Sequence, residues 1–399
     1  MSKRPPHPRR RHDRLSHRDQ QRKSMRKAQR KSQRTLHHET LERRELLAAA
    51  ILHSSFVPGT TQEQIDQFNQ NQSGGNGAQG GNVGNSQSRW ANTASGVSPN
   101  LGDSSTVTWS IIPDGTDVNG LPAGTTSDLV AFLDGIYGQG GNTTIDTRPW
   151  FGLFQRVFDS WEDISGINFE YEAADDGIGQ GGGPGVLGTR GDIRIGGADD
   201  SGNPMRLAYA YGPDFGAANP LSGEIVVDTT NGFYATNADG ATGANLGFHN
   251  TIAHEVGHAI GLGHVVPDVS GVALMTPTIS LAFRGPQHDD ILGVHTLYGD
   301  RFIDNDVQAN AAPVGTLDAA GIVVDNVSID QDNDQDWYSF DATAGQLLSL
   351  SIRPNGEIYD IAADGDPPIT VDSTRYSDLR FEVYDPGGAL VTSQAANLL

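Results

Sequence analysis

The sequence predicts an α+β domain followed by an all-β domain, behind about a hundred N-terminal residues with no core of their own. Three observations carry this. From about residue 104 to 303, strand-like and helix-like periods succeed one another; beyond Asp304 only strand-like runs follow; before Ser104 the chain is basic, then rich in Gln, Asn, Gly and Ser. A length of 399 residues allows two or three domains.

The charge is divided in the same way. The chain holds 27 Lys/Arg and 49 Asp/Glu, but residues 1–50 carry 16 basic against 5 acidic side chains, leaving 11 against 44 beyond them. A basic head on an acidic body is a targeting pattern. The acidic body excludes nucleic acid as main partner, because phosphate binding needs a basic patch. The absence of Cys excludes disulfides, thiol nucleophiles and Cys-based metal sites. No run of about 18 apolar residues exists, so no membrane span is expected.

Residues 1–54 are expected to be an export leader, since the short apolar run 46–52 follows a long positive stretch. The string LERRELL at 41–47 resembles the LEPR-XLL type of bacterial leader, with Arg43 in place of that pattern's proline. A disordered basic arm is the alternative. Residues 55–103 have the composition of a flexible linker. A mature form beginning between residues 50 and 104 is expected, with removal of the leader changing activity modestly because no cysteine is present to block a metal.

Order is expected to resume at 106–112, where Val107, Trp109 and Ile111 alternate like a half-buried strand. Ser127 is placed to cap a short helix ending near Tyr137. A longer helix spans about 149–165, because Trp150, Phe154, Val157, Trp161 and Ile164 form one apolar stripe at spacings of three and four. Strands are expected at 167–171, 192–195, 207–211 and 223–228, and helices at 250–263 and 286–298. Residues 304–399 read as strands at 321–329, 336–341, 346–352 and 379–384, with one more after the turn at 385–388.

The chemistry lies in HEVGHAIGLGH, residues 254–264. In a helix, His254 and His258 leave one face a turn apart, a suitable bite for one Zn²⁺ with Zn–N of about 2.0–2.1 Å. Glu255 is adjacent and can reach a water without being a ligand. Gly261 permits the left-handed turn that brings His264 back as third ligand. Three neutral imidazoles leave one position open, as a catalytic zinc requires. Met275 follows eleven residues later in ALMTP. His249 points elsewhere and is read as structural.

These motifs resemble the metzincin zinc metallopeptidases, and specifically a matrixin-type catalytic domain over about residues 104–300. The similarity includes TVTW at 106–109, FDSW at 158–161, GDIRI at 191–195, LAYA at 207–210 and QHDDILGVHTLYG at 287–299. It implies a twisted, mostly parallel sheet with three helices and a cleft. It further implies Glu255 as general base, Met275 and Pro277 in a turn under the zinc, residues 277–279 as a pocket wall, and Leu207, Ala208, Tyr209 and Ala210 as the edge strand for an extended substrate. Tyr209 and Val226 stand where the family places histidines for a second zinc, so only one zinc is expected.

Calcium is a further expectation. Asp330, Asp332, Asp334 and Asp336 alternate along an acidic loop, with Asp199, Asp200 and Asp228 as a second candidate; a solvated acidic loop is the alternative. DWYSFDATAGQ at 336–346 and FEVYDPGG at 381–388 resemble a bacterial pre-peptidase C-terminal domain, a small β-sandwich. The domains are thus expected at 1–54, 55–103, 104–303 and 304–399, in a secreted, monomeric zinc endopeptidase acting on protein or peptide. The competing readings are a non-catalytic surface or adhesion protein that keeps the zinc, and a hydrolase of a non-peptide bond.

Overall fold

The computed structural model describes residues 52–71, 89–139, 141, 144–213, 220–237, 246–267, 269, 271–303, 305–329, 335–354, 356, 358–363, 367–373 and 379–395. Of the leader expected at 1–54, residues 1–51 lie outside them, whereas 52–54 belong to the first strand. Strand β1 (Leu52–Phe56) is followed by helix α1 (Gln62–Asn71), the short ribbon β2 (Asn92–Thr93) and β3 (Gly96–Val97), then β4 (Ser105–Ile111). Helices α2 (Leu129–Tyr137) and α3 (Phe151–Glu162) precede β5 (Ile167–Tyr171), β6 (Ile193–Ala198), β7 (Arg206–Tyr211) and β8 (Glu224–Asp228). Then come α4 (Gly232–Asn237), α5 (Leu246–Ala259), β9 (Val265–Pro267) and α6 (His288–Tyr298).

The central sheet has the order β1-β7-β8-β6-β4-β5. Pairs β5–β4, β4–β6 and β6–β8 are parallel, whereas β8–β7 and β7–β1 are antiparallel. A mostly parallel sheet with a few helices is therefore the architecture, as the resemblance implied. The α3 stripe is buried: Trp150, Phe154, Val157 and Trp161 join Val107, Trp109, Ile167 and Val256 in one core. Phe158 stacks on Trp109 with ring centroids 4.2 Å apart. Trp161 reaches across to donate its indole N–H to Ala253 of α5, 3.0 Å away. The helix that carries the metal motif is thus keyed to the sheet through α3.

Two local readings differ. Ser127 makes no strong cap for α2; the carboxylate of Asp114 accepts the N–H groups of Val130 and Ala131 at 3.0 and 2.9 Å, capping from a distant loop. Residues 89–103, read as linker, are built in: the Trp90 N–H donates to the Tyr298 hydroxyl at 2.9 Å, its indole donates to Ala259 at 2.8 Å, and Arg89 lies over the Tyr298 ring.

The C-terminal part also departs from expectation. β10 (Ala312–Thr316) pairs with β11 (Tyr338–Asp341), and β14 (Arg380–Tyr384) with β15 (Leu390–Ala395). β12 (Ile358–Ala363) pairs with β13 (Ile369–Asp372) on one side and with β9 on the other. Tyr359, Ile361 and Val371 join the main core, and the Tyr359 hydroxyl donates to Asp289 at 3.1 Å. Residues 358–373 therefore extend the segment just after His264. Among the described residues no sandwich forms, and 321–329 and 346–352 are not strands; the apolar side chains of Val323 and Leu347 are exposed, so alternation there marks no buried face.

Candidate active site

Helix α5 is buried along nearly its whole length, with His254, Glu255 and His258 at zero exposure. It ends at Gly261, whose φ of 110° only glycine adopts without strain. The chain then turns back and sets His264 opposite the helix. The three Nε2 atoms converge: His254 to His258 is 2.9 Å, His258 to His264 is 3.1 Å, and His254 to His264 is 3.2 Å. Four ligands around zinc at 2.0–2.1 Å are separated by about 3.3 Å in a tetrahedron. Nδ1 of His254 lies 3.0 Å from the Leu274 carbonyl and Nδ1 of His258 lies 2.8 Å from the Leu262 carbonyl. Those carbonyls fix the Nδ1–H tautomer, so the lone pairs of Nε2 face one another. Such a cluster fits a cation. Burial lowers the affinity of all three imidazoles for protons, to about 4 for His254 and well below the ordinary value for His258 and His264. Neutral imidazole is the ligating form.

Leu274 and Met275 lie against helix α5, beside His254 and Gly257. The Asp290 carboxylate accepts N–H groups from Leu274, Met275 and Gln287 at 2.5, 3.1 and 2.7 Å. Gly257 explains one position the motif left open: an added Cβ there would lie 2.5 Å from Met275 Sδ and 3.1 Å from Trp161. Gly257→Ala is expected to cost about 1–3 kcal/mol through overpacking, read as a fall in the midpoint of denaturant unfolding; an unchanged midpoint would mean that the turn yields freely.

Other site expectations meet the structure as follows. The strand of Leu207, Ala208, Tyr209 and Ala210 is not a free edge, because β1 already pairs with it, with His53 opposite Ala210. Tyr209 and Val226 are register partners packed with Ile112, Val118 and Tyr211, so apolar contact fills the place of a second zinc. His249 is buried with both ring nitrogens unpaired, lowered to about 3 by burial and then by Arg284 and Arg156. Asp330, Asp332 and Asp334 lie outside the described residues, and the Asp336 carboxylate accepts from the Tyr338 hydroxyl. Asp200 pairs with Arg206 at 2.6 Å, and Asp228 accepts from the Asp200 and Thr230 amides. Among the described residues, the group of three or more His, Asp or Glu side chains that converges as a metal site contains His53, His258 and His264, not these aspartates.

His53 and Ser55 were missed. Their segment has an ordinary leader-and-linker composition, and no local motif marks it. The His53 ring stacks on His258 with centroids 4.2 Å apart. Ser55 donates its hydroxyl to Glu255 Oε1 at 2.5 Å, and the other Glu255 oxygen has no partner. Burial pushes Glu255 up to about 8, a shift opposed by the Ser55 hydroxyl.

The family model of Matrixin matches residues 142–299. Metalloendoproteinase 2-MMP of Arabidopsis thaliana is 28% identical over 155 residues, 37% of this chain and 36% of that protein. The chain thus spans about a third of the length of this relative. These similarities support a metalloprotease domain with zinc as its metal. β1 lies N-terminal to the family match.

Proposed function

We propose that the protein is a secreted zinc endopeptidase in which His254, His258 and His264 hold one zinc and Glu255 is the general base. The observation that carries this reading is the convergence of three neutral Nε2 atoms beside a buried carboxylate. When bound, zinc supplies Lewis-acid polarisation of the water and of the scissile carbonyl. Glu255 takes the proton from the attacking water and returns it to the departing amine. Burial raises its affinity for a proton, which the Ser55 hydroxyl opposes. Strand β7 and residues 277–279 form the two walls between which an extended peptide fits, because backbone groups on both sides face the gap that β1 now occupies.

Secretion is supported by the basic segment before residue 51 and its short apolar run. Hydrolysis of casein that stops with a chelator tests the activity. Zinc binding without cleavage of casein or any peptide library would favour an adhesion protein instead. Metal analysis is expected to give one zinc per chain, since Tyr209 and Val226 leave no second cluster; a reproducible value of two would contradict this.

A further inference from the structure

Strand β1 lies in the path assigned above to substrate. On one side it pairs antiparallel with β7 through Leu52↔Tyr211, His53↔Ala210, Ser54↔Tyr209 and Ser55↔Ala208. On the other, the Phe56 N–H donates to the Pro277 carbonyl and the Ile279 N–H donates to the Phe56 carbonyl, each at 3.0 Å. The Val57 N–H donates to Met205 at 2.9 Å, so the chain is held beyond the strand as well. Both walls are therefore saturated by the protein's own backbone. Phe56 is buried and meets Phe68 of α1 edge-on, with centroids 5.2 Å apart, and Arg206 lies over the same Phe68 ring.

His53 is the chemically notable residue of this strand. It is 7% exposed, and its Nδ1 is fully buried with no hydrogen-bond partner. A buried polar group left unpaired is unfavourable. One ring nitrogen each of His53, His258 and His264 lie within 4.8 Å of one another.

We propose that His53 is a fourth zinc ligand, delivered by β1, which closes the open coordination position and keeps the full-length chain latent. The proposal rests on the zinc reading of the preceding subsection. It joins three independent observations: a strand bonded to both walls, a serine on the catalytic carboxylate, and an unpaired imidazole at the metal cluster. His53 takes the position that the reacting water needs, Ser55 engages Glu255, and the backbone excludes substrate. The sequence alone suggested that removing the leader changes activity modestly. The geometry instead makes removal of β1 an activating step, and because Arg89 is buried and Trp90 is part of the core, the activating cut falls between residues 57 and 88.

The test compares the full chain carrying Glu255→Gln, which cannot process itself, with the same chain also carrying His53→Ala or His53→Gln. Each is loaded with Co²⁺, which reports ligand set and coordination number through its visible absorption. The spectrum of the parent is expected to differ from those of both variants. Acetohydroxamate is expected to bind the variants at least about tenfold more tightly, since in the parent the open state is the minor one. Two further outcomes would overturn the proposal: cobalt spectra and hydroxamate affinities the same in all three, or the Glu255 chain cutting itself within residues 52–56, which would make β1 a substrate. Failure of every form to bind cobalt or zinc would instead remove the zinc reading itself. Circular dichroism of the His53→Gln chain separates loss of a ligand from loss of the fold.

Discussion

Glu255→Gln is expected to lower peptide hydrolysis about 10²–10⁴-fold, the contribution of a positioned general base, in protein whose cleavage of casein is first established. The replacement keeps the shape of the side chain. Its amide oxygen still accepts the Ser55 hydroxyl that Glu255 Oε1 accepts, so the fold has little reason to change. Glu255 is not among the converging nitrogens, so zinc content should stay at the parent's value. The loss should therefore fall on kcat with metal retained, a split that a merely structural carboxylate would not give. Activity within tenfold of the parent, at equal zinc content, would exclude Glu255 as the base.

Much of this site was legible because zinc ligation imposes fixed spacing. The four-residue step from His254 to His258, the helix stop at Gly261 and the return at His264 are all local, and the structure places them as the spacing requires. The α3 stripe was equally legible, since its period of three and four matches one buried helix face. What the sequence did not show depends on pairing across long separations. β1 meets β7 about 150 residues later, and Ser55 meets Glu255 at a separation of 200. A five-residue segment, LHSSF, offers no periodicity from which such a partner could be inferred. The C-terminal region misled for the opposite reason. Alternation suggested strands at 321–329 and 346–352, yet alternation predicts a strand only where something covers one face, and Leu347 and Val323 are exposed. Residues 358–363 instead find their cover on β9, next to the metal loop.

The second large effect is expected from Asp290→Ala. Asp290 is fully buried, and its two oxygens accept the amides of Leu274, Met275 and Gln287. It also closes the capping box at the start of α6. Alanine strands two buried donors and a half-buried one and removes the cap, which together should cost about 3–5 kcal/mol. The effect should reach the metal through one further bond. The Leu274 carbonyl orients His254 by accepting from Nδ1, and the Leu274 amide is held by Asp290. Loosening that peptide frees the imidazole to rotate, and loss of such a supporting contact typically lowers metal affinity about 10–100-fold. Asp290→Asn keeps one acceptor oxygen and should fall between parent and alanine in both respects. Denaturant unfolding of the metal-free protein and competition for zinc with a chelator measure the two effects separately. A variant that loses stability but keeps the parent's zinc affinity would show that His254 is oriented without the Leu274 peptide, and that Asp290 serves the fold alone.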